Sequence, residues 1–103
     1  MNYRLSPAAR ADLRSIWTYT AETWGSSQAD HYILSIESAC ENLALERVRG
    51  RSADRYRRGY MSFAVGSHFV FYKTLDRGSI AVIRILHQRM DIRSRLLDRP
   101  QQA

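Results

Sequence analysis

The chain has 103 residues, of which 45% are hydrophobic and 11% aromatic. This length and apolar content suit one small domain and exclude both a disordered tail and a two-domain protein. Lys and Arg number 16 against 10 Asp and Glu, giving a formal net charge of +6, and 15 of the 16 cations are arginine. We therefore expect a single basic domain over residues 1–103.

The charge is unevenly distributed along the chain. Residues 1–46 have a net charge of −3, whereas residues 47–103 have a net charge of +9. A basic half of this kind favours one surface that meets an acidic partner, either nucleic acid or an acidic protein segment. A genome rich in G and C would also favour arginine, so the residue bias alone does not choose between partners.

Several classes of protein are excluded by what the sequence lacks. Cys40 is the single cysteine, which excludes an intramolecular disulfide and a cysteine-only metal site. The start of the chain lacks the apolar core of a signal peptide, and no apolar run approaches the about 18 residues of a membrane span. There is also no glycine-rich phosphate loop, H-E-x-x-H motif or G-x-S-x-G elbow. We expect a cytoplasmic protein without a membrane segment, metal or cofactor.

Two helices are predicted in the first half of the chain. Ser6 and Pro7 suit a helix start and Gly25 suits its end, so the first helix covers about residues 7–24. A second apolar stripe of helical period runs over residues 29–43. Because the link between them is short, the two helices are expected to form an antiparallel hairpin.

The second half of the chain changes to a period of two. Alternating runs at 60–65, 68–75 and 80–86, separated by turn residues, predict three consecutive antiparallel strands. A short strand at 3–5 precedes the first helix, and residues 44–59 are predicted to be a basic loop.

The order of these elements predicts an α+β fold of two layers, β-α-α-β-β-β. The N-terminal strand and the helix hairpin pack on a small, mainly antiparallel sheet, and residues 91–97 add a short C-terminal helical turn. The sequence leaves open at which edge the first strand joins the sheet and whether it is parallel to its neighbour.

Three aromatic residues are candidates for contact with a partner protein. Trp17 and Trp24 lie on the apolar stripe of the first helix, where burial in the core is the alternative to a peptide-binding edge. Tyr60 follows the arginine-rich segment, where aromatic rings and guanidinium groups stack on partner side chains or on bases.

Arg84 and His87 are the charged and titratable candidates near the end of the last strand. Arg84 interrupts an apolar strand, so it either pairs with an acid such as Asp91 or Glu22 or faces a charged groove. With Arg84 or Arg89 on a phosphate, His87 would act as a general base in a ribonuclease-like site. The alternative is that His87 only orients the strand end through hydrogen bonds to Asp91 or the backbone.

Several segments together carry a resemblance to a known family. They include LSPAA at 5–9, IWTYTAETWG at 16–25, GSH at 66–68 and RILHQRMD at 84–91. In order and spacing, over residues 3–97, they resemble the ParE toxin family within the RelE/ParE superfamily. The resemblance implies the toxin of a type II toxin–antitoxin module, of the kind that acts in plasmid stabilization, held in a hetero-oligomer by a ParD-like antitoxin.

The resemblance also implies a non-enzymatic toxin that inhibits DNA gyrase and meets DNA only through its antitoxin. A RelE-like, ribosome-dependent mRNA endonuclease is the alternative, and His87, Arg84 and Arg89 would then be its catalytic residues. The expected antitoxin-binding residues are Trp17, Trp24, Tyr60 and Arg84. The expected gyrase contacts are Arg89, Arg93 and Arg95, on a basic C-terminal turn.

Overall fold

The computed structural model describes residues 3–97, apart from the side chains of Arg77 and Leu97, so the predicted domain extends beyond it at both ends. The elements in chain order are β1 (Tyr3–Leu5), α1 (Pro7–Trp24), α2 (Ser26–Ala44), β2 (Arg51–Ser52), β3 (Met61–Val65), β4 (His68–Thr74), a 3-10 helix (Asp76–Gly78), β5 (Ile80–His87) and α3 (Ile92–Leu97). The predicted α+β fold is confirmed. One strand, β2, lies inside the segment that was predicted to be a loop.

The boundaries of the first helix follow from its end residues. The Ser6 Oγ accepts a hydrogen bond from the Ala9 N–H at 2.9 Å and donates one to the Ile83 carbonyl at 2.7 Å, so the cap also ties the helix to the sheet. Pro7 occupies the first turn, where no donor is needed. Gly25 ends α1 and also precedes α2 with φ 97° and ψ 158°, a conformation that a side chain would disfavour.

The sheet has the order β1-β5-β4-β3-β2. β1 joins as an edge strand parallel to β5, and all other pairs are antiparallel, which answers the question that the sequence left open. β2 was missed because its two residues, which pair with Met61 and Ser62, are too few to show a period. A register shift between Phe71 and Tyr72 makes a bulge in the pairing of β4 with β5.

The sheet is covered on both faces. The helix hairpin packs on one face, where the buried side chains include Ile16, Ile36, Cys40, Leu43, Val70, Val82 and Ile85. The opposite face is covered by the chain around residues 53–60 and by α3, and its buried side chains are Ala53, Tyr60, Phe71, Leu86, Ile92 and Leu96. Ile92 and Leu96, one helical turn apart, attach α3 to this face, and burial of such a side chain contributes about 1.5–3 kcal/mol.

Burial in the core, which the apolar stripe of α1 gave as the alternative for Trp17 and Trp24, is wrong. Trp17 is 37% exposed and Trp24 is 71% exposed, whereas Ile16 and Thr20 are buried. Ile16 and Thr20 are four positions apart on one side of α1, and Trp17, one position after Ile16, is rotated from that side by about 100°. Trp24 shares the side of Thr20 but is the last residue of α1, at the end of the helix. None of the helices in the described part of the chain is long and apolar enough to cross a bilayer.

Candidate functional site

A groove of about 850 Å³ opens between the helix hairpin and one end of the sheet. Side chains of both helices line one wall, and the turn after β3, the end of β5 and the residues that follow it line the other. The lining residues include Ile16, Tyr19, Trp24, Tyr32, His68 and Met90. We refer to this cavity as the hairpin groove.

The rim of the hairpin groove is unusually apolar for a surface. Trp24 is 71% exposed, Tyr19 is 68% exposed and Met90 is 41% exposed. Large apolar side chains that gather around a cavity and remain in contact with water mark interaction sites, because a partner gains free energy by covering them. Ile16 at the floor of the groove is buried, so the groove runs from the surface into the core.

The wall of the groove is held by the hydroxyl of Tyr32. This hydroxyl accepts a hydrogen bond from the Ser67 N–H at 3.0 Å, and its oxygen lies 3.2 Å from the Val65 carbonyl and 2.7 Å from His68 Nδ1. Since it has one proton, it donates to one of the last two groups at a time. One side chain of α2 therefore fixes the turn that joins β3 to β4, and Gly66 in that turn passes close to the Tyr32 ring.

Two histidines lie side by side in the groove. The rings of His68 and His87 meet edge to face with their centres 5.1 Å apart. Burial, together with the neighbouring His87, lowers the pKa of His68 to about 4, so His68 is neutral at pH 7. His87 Nδ1 accepts a hydrogen bond from the Arg89 N–H at 3.0 Å, which is a backbone contact of the kind that the non-catalytic alternative predicts.

Arg84 is held by Asp12 of α1. Its Nε and Nη2 donate to the two carboxylate oxygens at 2.8 and 2.9 Å, and the Ile85 N–H donates to the same carboxylate at 2.8 Å. An internal ion pair was predicted, but Asp91 and Glu22 were the wrong partners. β1 lies parallel to β5, and α1 begins directly after β1. The first turns of α1 therefore cross β5 near its end and bring Asp12 to Arg84.

The ion pair with Asp12 separates Arg84 from His87 and Arg89, the other two residues of the predicted catalytic alternative. His87 and Arg89 both line the hairpin groove, whereas Arg84 is turned to the Asp12 carboxylate and also donates to the Arg95 carbonyl at 3.5 Å. In the described part of the chain no three His, Cys, Asp or Glu side chains come together in a way that could hold a metal ion.

The predicted antitoxin-binding residues lie on different surfaces. Trp24 lines the groove, and Trp17 lies beside α2, where its indole N–H donates to Asp30 at 2.8 Å. Tyr60 is only 7% exposed and belongs to the opposite face of the sheet. Arg84 lies near the end of β5, so no single flat surface contains all four residues.

The predicted gyrase contacts are likewise divided. Arg89 lines the hairpin groove, whereas Arg93 and Arg95 are exposed on α3. The guanidinium of Arg93 lies over the Tyr56 ring, 5.9 Å from its centre, on the face opposite the helix hairpin.

Sequence reasoning missed several residues of the site. Tyr19 and Met90 were not singled out as rim residues, and Tyr32 was placed on the apolar stripe of α2 with no role for its hydroxyl. The spacing of Tyr19 from Ile16, three positions along α1, was an available signal. Nothing in the sequence linked Asp12 to Arg84, because their contact depends on the parallel pairing of β1.

Comparison with known proteins identifies the family. The model of the family described as ParE toxin of type II toxin-antitoxin system, parDE, matches residues 3–92. The chain belongs to the ParE toxin family. The resemblance that the sequence carried is thus confirmed, and with it the general function of the family, which is that of a toxin in a type II toxin–antitoxin system.

Three curated ParE relatives match most of the chain. Toxin ParE1 of Mycobacterium tuberculosis (strain CDC 1551 / Oshkosh) is 43% identical over 90 residues, which are 87% of this chain and 92% of the relative. Toxin ParE1 of Caulobacter vibrioides is 42% identical over 94 residues, 91% of this chain and 96% of the relative. Toxin ParE of Escherichia coli is 33% identical over 97 residues, 94% of each.

A solved structure shares the ParE fold. It is titled "Chromosomal ParDE TA system from P. aeruginosa" and aligns with a TM-score of 0.71 at 18% sequence identity, covering 84% of this chain and 95% of that one. At this identity the likeness shows the fold alone. Backbone architecture is therefore retained where most side chains differ.

Proposed function

We propose that the hairpin groove binds a ParD-like antitoxin and that the free protein inhibits DNA gyrase. The observation that carries the first part is the groove itself, about 850 Å³ in volume with exposed aromatic side chains on its rim. Membership of a toxin–antitoxin family supports a protein as its occupant, and the solved neighbour is titled as a ParDE system.

The groove suits an apolar or amphipathic segment of the antitoxin. An antitoxin helix would insert apolar side chains between Trp24 and Tyr19, in the manner of a helix that docks in a groove. An acidic side chain of that segment would pair with Arg89, which also lines the groove. We propose Trp24 as the main contact and Trp17 as a second contact further along α1. Tyr60 is too deeply buried to make a direct one.

An antitoxin that continues past the groove would reach the end of β5. Arg84 is 21% exposed there, with its charge already balanced by Asp12. We propose that Arg84 helps to orient the bound antitoxin through hydrogen bonds and adds little net electrostatic attraction. An antitoxin that covers both the groove and this edge would wrap the toxin, and it would also supply the module's DNA-binding surface.

For gyrase, we propose contacts through Arg89, Arg93 and Arg95. Arg93 and Arg95 are exposed on α3, and guanidinium groups there can reach an acidic surface or the DNA phosphates of a gyrase–DNA complex. This activity requires binding and no bond cleavage by the toxin. The ribonuclease alternative draws on the adjacent rings of His68 and His87, of which His68 is neutral at pH 7.

Two experiments test these proposals separately. The antitoxin is expected to be encoded by the open reading frame adjacent to the toxin gene, and co-expression with that product is expected to give a stable complex. Harmless high-level expression of the chain alone would contradict the toxin proposal. The purified protein is then assayed for inhibition of supercoiling by DNA gyrase and for ribosome-dependent cleavage of mRNA. Inhibition of supercoiling supports the gyrase proposal. Cleavage of mRNA with no inhibition of supercoiling supports the ribonuclease alternative.

A further inference from the structure

The face of the sheet opposite the helix hairpin carries a layer of cations over aromatic rings. We call it the basic face and define it by four cations and two tyrosines: Arg55, Arg57, Lys73, Arg93, Tyr56 and Tyr60. The Arg55 guanidinium carbon lies 4.8 Å from the centre of the Tyr56 ring, and that of Arg93 lies 5.9 Å from it. Tyr56 therefore contacts one cation from the loop before β3 and one from α3.

Tyr60 organises the second half of the basic face. The Arg57 guanidinium carbon lies 5.6 Å and the Lys73 Nζ lies 5.9 Å from the centre of the Tyr60 ring. Arg57 also donates to the Leu96 carbonyl of α3 at 3.4 Å. These contacts limit the freedom of long side chains before any partner arrives, so less conformational entropy is lost on binding.

The charge of the basic face is only partly offset by acidic neighbours among residues 3–97, and none of its four cations forms a salt bridge there. In that part of the chain the one salt bridge joins Arg84 to Asp12, away from this surface. Asp54 lies in the same loop, where its carboxylate accepts the Gly59 N–H at 2.8 Å, and it offsets at most one of the four cations. Arg51 and Arg58 are also exposed and extend the positive charge. Such a surface attracts a polyanion.

The apolar side chains beneath this layer are almost fully covered. Phe71 is 0% exposed, Leu86 is 1% exposed and Leu96 is 2% exposed. A protein partner is usually anchored by a few apolar or aromatic side chains in desolvated pockets. A phosphate backbone needs only positive charge and hydrogen-bond donors, which guanidinium groups supply in pairs. The basic face therefore fits a nucleic acid better than an acidic protein.

We infer that the basic face binds the phosphodiester backbone of duplex nucleic acid directly, without reading its bases. This contact goes beyond the one through the antitoxin that the sequence predicted, and it does not depend on gyrase being the target. The cations lie on the loop before β3, on β4 and on α3, so the contact would span the width of several strands.

The test compares two double variants of the purified full chain. Arg55→Gln with Lys73→Gln removes two charges from the basic face, and Arg10→Gln with Arg14→Gln removes two exposed charges from α1. Binding to labelled duplex DNA of mixed sequence is measured by fluorescence anisotropy against salt concentration. The first variant is expected to bind about tenfold more weakly. The slope of log binding constant against log salt concentration, the salt slope, is expected to be smaller in magnitude by about 2. The α1 variant is expected to change affinity by less than about twofold.

Further arms separate the competing accounts. Arg55→Lys with Lys73→Arg keeps both charges and is expected to keep the salt slope, and thermal unfolding verifies that each variant is folded. Equal losses in both double-Gln variants would overturn the inference, because net charge alone would explain the binding. Competition by polyglutamate as effective as that by DNA would also overturn it, in favour of an acidic protein. Parallel titrations with duplex RNA show which nucleic acid is preferred, and either preference supports a backbone contact.

Discussion

The Tyr32 hydroxyl and His68 Nδ1 lie 2.7 Å apart, joining α2 to the first residue of β4. The same hydroxyl accepts the Ser67 N–H, so it holds the turn between β3 and β4 against the helix layer. This turn forms a wall of the hairpin groove, and its position sets the width of the site that we propose for the antitoxin. Changes at this contact should therefore affect stability and antitoxin binding together.

Gly66→Ala is expected to disturb this contact. Gly66 has φ 55°, and an added Cβ would lie 2.6 Å from the Tyr32 ring, so the ring must move and its hydrogen bonds weaken. We expect a loss of about 2–4 kcal/mol in the free energy of unfolding, measured with denaturant. Gly59→Ala is the matched control, because Gly59 also has a positive φ, 86°, but nothing lies within 4 Å of the added Cβ. Equal losses in the two variants would refute the steric account.

His68 is expected to make stability depend on pH in a defined window. Its pKa in the folded protein is lowered from 6.5 to about 4 by burial and by His87. Between these values the unfolded chain binds more protons than the folded one, so stability falls as the pH drops from 6.5 to 4 and is unaffected by His68 above that window.

The pH effect is measured as the free energy of unfolding between pH 4 and 7. Because His68 is only half-buried, we expect a loss on the order of 1–2 kcal/mol, below what the full pKa difference would give. His68→Asn keeps a hydrogen-bonding side chain near Tyr32 and removes the titration, so its pH dependence should be shallower. His31→Asn, at an exposed position of α2, serves as the control and should follow the unmodified protein.

Asp12→Asn is expected to remove the charge of the carboxylate that holds Arg84 near the end of β5. The carboxylate accepts three hydrogen bonds, two from Arg84 and one from the Ile85 N–H, and is 13% exposed. We expect a loss of about 2–3 kcal/mol in the free energy of unfolding. Asp30→Asn, which alters an exposed hydrogen bond to Trp17, should cost less than about 1 kcal/mol. A smaller effect at Asp12 than at Asp30 would contradict this interpretation.

Much of the fold could be predicted because local signals agreed with the final structure. Ser6, Pro7 and Gly25 marked the ends of α1 as the structure has them, and the change of period after residue 59 marked the three long strands. β2 escaped because two residues show no period, and its pairing with β3 depends on the chain between them. The position of β1 depended on a parallel pairing that no local signal encodes.

The candidate site was harder to predict because its residues come from distant elements. Trp24 was selected from the sequence as a partner contact, but helical periodicity gave no sign that it is exposed. Arg84 was correctly expected to need a partner, since a charge in an apolar strand requires one, yet Asp12 could be named only once α1 was seen to cross β5. A residue type shows what chemistry is possible, whereas its neighbours follow from topology.

The central claim, that the hairpin groove binds the antitoxin, is tested most directly by calorimetric titration of the adjacent open reading frame's product into the purified toxin. Trp24→Ala removes a rim side chain that is 71% exposed, and Leu34→Ala removes a 58% exposed apolar side chain of α2 that does not line the groove. We expect Trp24→Ala to weaken binding at least tenfold, about 1.4 kcal/mol or more, and Leu34→Ala to change it less than about twofold. Unchanged affinity in Trp24→Ala, or equal losses in both variants, would contradict the claim.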